Sequence, residues 1–111
     1  MKIEVTKADN SVLVAMTGDL SSRDDQRLIS DLVNEKLAAG ERDFVLNLSE
    51  VPYISSLGIA ILVATYVKVN REGGKLRLVN PRPRVAAVLA MTKVSDVFKT
   101  YSTVAEALSA N

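Results

Sequence analysis

The sequence predicts a single α/β domain in the order β-β-α-β-α-β-α-β-α, with a mostly parallel sheet after an N-terminal hairpin and helices mainly on one face. Three observations carry this expectation. Polar and apolar residues alternate through the first 17 positions, the pattern of strands with one wet face. Residues 23–39 and 57–72 are each preceded by serines and followed by glycine, as capped helices are. Short apolar runs then alternate with helical stretches, which implies parallel strands joined by crossovers.

In chain order, Ile3 and Val5 alternate with Lys2, Glu4 and Thr6, and Val12, Val14 and Met16 continue the pattern to Gly18. Asp9, Asn10 and Ser11 supply turn chemistry between them, so a hairpin is expected over 2–17. After the Asp19 to Ser22 loop, either Ser21 with Asp24 or Ser22 with Asp25 matches a capping box. Leu28, Ile29, Leu32, Val33 and Leu37 follow at helical spacing up to Gly40, which predicts an amphipathic helix over 23–39. Phe44, Val45, Leu46 and Leu48 make the third strand, ending in a turn around Pro52.

The stretch VPYISSLGIAILVATYVKVNREGG, residues 51–74, is the one around which the rest is organised. Its β-branched residues, Ile59, Ile61, Val63, Val67 and Val69, favour a strand by propensity. Length overrules them, because the span between caps is too long for one strand of a small domain. A helix over 57–72 is expected, with Ser56 as the capping residue and Gly73 and Gly74 ending it. Its apolar part, Leu57 to Val67, falls well short of the roughly 20 residues of a membrane span.

Leu76, Leu78 and Val79 with Lys75 and Arg77 predict a fourth strand, and Pro83 opens a short helix to about Met91. Phe98 to Tyr101 reads as a last short strand, and Thr103 with Glu106 as the capping box of a final helix. Polar alternation on the first and fourth strands places Glu4 and Arg77 on the face away from the helices.

Composition narrows the function. The 111 residues, 48% hydrophobic, suit one domain spanning 1–111. A net charge of +1 gives no global field toward nucleic acid or an anionic membrane. Arg82 and Arg84, the densest basic spot, read as a solvated helix entry. Histidine and cysteine are both absent, which removes a Ser-His-Asp arrangement, a thiolate nucleophile, disulfides and the usual zinc sites. The glycines at 58, 73 and 74 fit neither the P-loop nor the dinucleotide fingerprint. We therefore expect no enzyme, no catalytic residue, no metal and no cofactor. The alternating N-terminus lacks a signal-peptide core, so a cytoplasmic protein without membrane insertion is expected.

The remaining sharp feature is the pair Ser55 and Ser56. One reading has one hydroxyl capping the helix and the other satisfying a loop amide; the other has the helix mouth holding a phosphate placed on the capping hydroxyl. The two are compatible.

VPYISSLGIAIL resembles the signature of the STAS domain of anti-sigma factor antagonists, whose usual form is close to VxYIDSSGLGVL. GDLSSRDDQRL is similar to the family's GELDxxTxxxL, and LVNPRPRVAAVLAMTKVSDVFKTYSTVAEAL resembles its C-terminal half. The resemblance implies a STAS-like fold in the element order above. It also implies that Ser56 is the residue a partner kinase phosphorylates, that Gly58 is the motif's first glycine and that Leu62 is its closing aliphatic. Ser55 and Ser21 stand where the family commonly has aspartates, Leu57 replaces a small residue, and Ile59 and Ala60 replace leucine and glycine. Ser55 is thus a rival acceptor.

The implied function is that of an anti-sigma factor antagonist, a phosphorylation-switched binding module that sequesters an anti-sigma factor with serine kinase activity and frees a sigma factor. Docking is expected through Asp19, Ser21, Ser22, Ser55, Ser56, Leu57 and Gly58, with a phosphatase for reset and a monomer or weak dimer as the working state. Two alternatives stand beside it: a STAS module of a stress-signalling complex or lipid-transport system, and a small-ligand or nucleotide-binding domain at the helix mouth.

Overall fold

The alternation of the first 17 residues becomes a hairpin. In the computed structural model, which describes residues 1–92 and 97–110, β1 (Lys2–Ala8) pairs antiparallel with β2 (Ser11–Thr17), Lys2 opposite Thr17 and Ala8 opposite Ser11. Asp9 turns the chain at φ 55°, a left-handed conformation that Asp and Asn accept more readily than most residues. β3 (Asp43–Glu50), β4 (Lys75–Val79) and β5 (Lys99–Tyr101) follow, giving a five-stranded sheet in the order β1-β2-β3-β4-β5. Every pair after the hairpin is parallel.

Among the described residues four helices join and close the sheet: α1 (Arg23–Ala38), α2 (Ser56–Arg71), α3 (Pro83–Met91) and α4 (Val104–Ser109). Pro83 occupies the first position of α3, where its missing amide is no loss. α2 ends at paired glycines for two reasons. Gly73 has φ +80°, and a Cβ on Gly74 would strike the Arg42 backbone and come within 2.9 Å of Val69 Cγ1.

The strand period of two sorts the core into two layers. Val12, Val14, Met16, Phe44, Leu46, Leu48, Leu76 and Leu78 face one way and meet α1, α2 and α3 through Ile29, Val33, Ile61, Leu62, Val85 and Leu89. Leu13, Val45, Val79 and Tyr101 face the other way and meet Val104, Ala107 and Leu108 of α4. Helices therefore lie mainly, but not wholly, on one face. Glu4 is exposed as expected, whereas Arg77 is not: it shares its face with Val79, which α4 covers, and is only 6% exposed. A long aliphatic stem lets arginine occupy such a place. No helix among the described residues is long and apolar enough to cross a membrane. Residues 93–96 of the C-terminal resembling stretch lie outside the described residues.

Candidate functional site

Parallel strands deliver their following loops to one end of the sheet, and here the loops after β2 and β3 are stitched together by backbone. Leu20 forms a parallel bridge with Ile54; its amide donates to Tyr53 O at 3.0 Å and its carbonyl accepts from the Ser55 amide at 3.2 Å. The Gly18 amide donates to Glu50 O at 3.0 Å. Leu20, Val51 and Ile54 are buried beneath these bonds, so the two loops share one apolar footing.

This stitching decides which serine caps α2. Pairing with Leu20 holds Ser55 extended, at φ −92° and ψ 177°, and its Oγ accepts from the Gly58 amide at 3.1 Å. Ser55 is the N-cap, and Ser56, expected in that role, is the first residue of the helix. The correction has a physical cause: either hydroxyl can cap, and the Leu20 backbone selects the earlier one. Ser55 Oγ also stands 3.5 Å from Ser21 O, a long contact that ties the two loops once more. Ser56 is exposed and its hydroxyl has no hydrogen-bond partner among the described residues.

Gly58 has a different task. A Cβ there would collide with the Leu20 carbonyl oxygen and stand 2.6 Å from Ile54 Cγ1, so only glycine lets the first turn of α2 press onto the neighbouring loop. Leu57 is half-buried and packs against the core, anchoring the same turn.

Of the two capping boxes possible at α1, Ser22 with Asp25 forms. The Asp25 amide donates to Ser22 Oγ at 3.1 Å, and Asp25 Oδ2 accepts from the Ser21 and Ser22 amides at 3.0 Å each. The Met1 ammonium lies 3.6 Å from Asp25 Oδ1. Burial pushes the Asp25 carboxyl up, but the Ser21 and Ser22 amides, the Ser22 hydroxyl and the Met1 charge together hold it below its ordinary value. Asp25 thus fixes the loop that carries Asp19, Ser21 and Ser22. Asp19 and Ser22 are exposed and Ser21 is half-buried.

All seven expected docking residues therefore come from two loops and one helical turn that bond to each other. Two further residues escaped sequence reasoning. Tyr53, 45% exposed on the loop leading into Ser55, enlarges the surface; its place before the serine pair was the available signal. Arg82, expected as a solvated helix entry, donates from Nε to Ser49 O at 2.8 Å and pairs with Glu50 at 3.3 Å, bracing the end of β3. Among the described residues no cluster of acidic side chains could hold a metal ion. The recess between α1 and α2, about 140 Å³, is lined by Ile61 and Thr65, a turn and more beyond Ser56.

Residues 2–107 match the model of the STAS domain family. The chain is 36% identical over 75 residues to a protein of Thermotoga neapolitana named as an anti-sigma factor antagonist homologue; that match covers 68% of this chain and 66% of the relative's length. It is 27% identical over 97 residues to the anti-sigma-B factor antagonist of Bacillus subtilis, covering 87% of each. Among solved structures it is similar to that of an anti-sigma factor antagonist from Thermotoga maritima, with a TM-score of 0.87, 26% identity and coverage of 96% of this chain and 91% of the other.

Proposed function

The chain belongs to the STAS domain family, and on that footing we propose that it works as an anti-sigma factor antagonist switched by phosphorylation of Ser56. One observation carries the choice of residue. Ser55 spends its hydroxyl on the Gly58 amide, while the neighbouring Ser56 hydroxyl is exposed and uncommitted. A kinase needs the hydroxyl oxygen as a nucleophile, and the Ser55 oxygen is engaged by the Gly58 amide while the Ser56 oxygen is free to attack.

The unphosphorylated surface, made of Asp19, Ser22, Tyr53, Ser56 and Leu57 around the stitched loops, docks onto an anti-sigma factor that is itself a serine kinase. Docking withdraws that factor from its sigma factor. Phosphorylation adds about −1.5 to −2 charges at the first residue of α2. The free first-turn amides and the positive end of the helix accept that charge in water, so the fold survives. In a closed interface the same charge must be stripped of water, which outweighs the helix-end gain unless the partner supplies a cation. The complex dissociates, and a cytoplasmic phosphatase resets it. The protein itself performs no catalysis in this scheme.

Phosphosite mapping tests the residue. Incubation with the partner kinase and ATP, followed by fragmentation mass spectrometry, is expected to place the phosphate on Ser56. A phosphate found on Ser55 alone would overturn the assignment.

A further inference from the structure

β1 is a sheet edge with unused backbone. Ala8 and Ser11 flank the two-residue turn at Asp9 and Asn10, so they exchange both hydrogen bonds of an antiparallel pair. Alternation then bonds Thr6, Glu4 and Lys2 to β2 and turns the amides and carbonyls of Ile3, Val5 and Lys7 outward. No hydrogen bond from a turn, loop or cap of the described residues takes up those outward groups. The opposite edge, β5, is three residues long, whereas β1 runs seven without a proline or a register shift against β2.

Charges on such an edge normally keep other strands away. On β1 they alternate in sign, and that changes what they exclude. Lys2, Glu4 and Thr6 are exposed on one face, while Ile3 and Val5 are half-buried against the core on the other. Among the described residues neither Lys2 nor Glu4 has an ion-pair partner within 4.0 Å, whereas Lys7 is held by Glu41 at 2.8 Å. Two copies can pair β1 with β1 antiparallel only where outward groups meet outward groups, so the two-fold axis falls beside Ile3, Glu4, Val5 or Thr6. Beside Glu4 it sets that carboxylate against itself. Beside Val5 or Thr6 it sets Glu4 against a neutral residue and an apolar side chain against Lys7. Beside Ile3, Lys2 of each copy stands opposite Glu4 of the other, and Ile3 meets Ile3 on the core side.

We infer that β1 pairs antiparallel with β1 of a second copy about a two-fold axis at Ile3, joining the two five-stranded sheets edge to edge. Two Lys2–Glu4 pairs select the register, and the half-buried Ile3 side chains continue the apolar layer across the axis. The overlap is short and its ion pairs are exposed, so the dimer is weak and reversible. The inference is independent of the Ser56 switch.

Sedimentation equilibrium on the full chain at low salt tests it. Wild type is expected to dimerise at about 0.1–1 mM chain. Lys2 and Glu4 are exposed, so Lys2→Glu and Glu4→Lys leave the fold intact, which far-ultraviolet circular dichroism checks. Each single variant brings like charges face to face at both pairs and is expected to weaken self-association by about tenfold or more. The double variant Lys2→Glu with Glu4→Lys restores both pairs with the signs exchanged and is expected to regain wild-type affinity. An equimolar mixture of the two single variants is expected to dimerise more tightly than either alone. A chain that stays monomeric to about 1 mM overturns the inference. So does a dimer that either single variant leaves unchanged, or one that the double variant fails to restore, because both outcomes place any self-association on another surface.

Discussion

The Leu20 carbonyl oxygen accepts from the Ser55 amide at 3.2 Å and lies against the bare Cα of Gly58, so one backbone atom joins the β2–α1 loop to the mouth of α2. The surface proposed to dock a partner is therefore one unit, set by backbone geometry more than by its own side chains.

Gly58→Ala tests that unit. The added methyl meets backbone on one side and Ile54 Cγ1 at 2.6 Å on the other, and backbone cannot rotate aside as a side-chain tip can. We expect a loss of about 1–3 kcal/mol, typical of overpacking, in chemical denaturation. Partner affinity is expected to fall even without phosphate, because the first turn of α2 shifts. A variant as stable as wild type would show that the contact is looser than described.

The two serines are expected to separate in stability. Ser55→Ala removes the cap on the Gly58 amide and is expected to cost about 1 kcal/mol. Ser56→Ala touches an exposed hydroxyl without a partner and is expected to stay within about 0.5 kcal/mol of wild type. Paired urea titrations decide, and the reverse order would restore Ser56 as the cap.

Asp25 predicts an acid-sensitive loop. Its carboxyl is held below the ordinary carboxylate value in the folded state, so it binds its proton less readily folded than unfolded. The stability it contributes is fully present above the unfolded value of 3.8 and is lost as pH falls through the lower folded value. Asp25→Asn is expected to be less stable than wild type at neutral pH, with a gap that closes in acid below that window. Thermal melts across the acid range check this, and a gap independent of pH would contradict it.

Much of the fold was legible because its signals are local. Alternation placed β1 and β2, helical spacing placed α1, and the serine and glycine boundaries placed α2 to within a residue or two. What escaped depended on contacts distant in sequence. Ser55 rather than Ser56 became the cap because Leu20, 35 residues earlier, pairs with Ile54 and the Ser55 amide. Arg77 looked like a solvent-facing residue until α4 crossed the second face, and its polarity gave no sign of that cover. Tyr53 is an isolated aromatic in a loop, marked in the sequence only by its place before the serine pair. The residues expected to dock were drawn from the family resemblance and lie together in the structure, whereas the backbone stitching that joins their loops left no trace in the sequence.

The most direct measurement compares binding of the anti-sigma factor to wild type, Ser56→Ala and Ser56→Asp by titration calorimetry, with melting curves alongside. Ser56→Asp is expected to melt within a few degrees of wild type, because a charge at the N-terminal turn of α2 is tolerated by the helix. It is expected to lose the partner by a factor of about 100 or more, the scale of a buried charge left unpaired. Ser56→Ala is expected to bind as wild type does and to stay bound when the kinase and ATP are supplied. Tight binding of the anti-sigma factor by Ser56→Asp, together with release of Ser56→Ala by the kinase, would contradict the assignment of Ser56 as the switch.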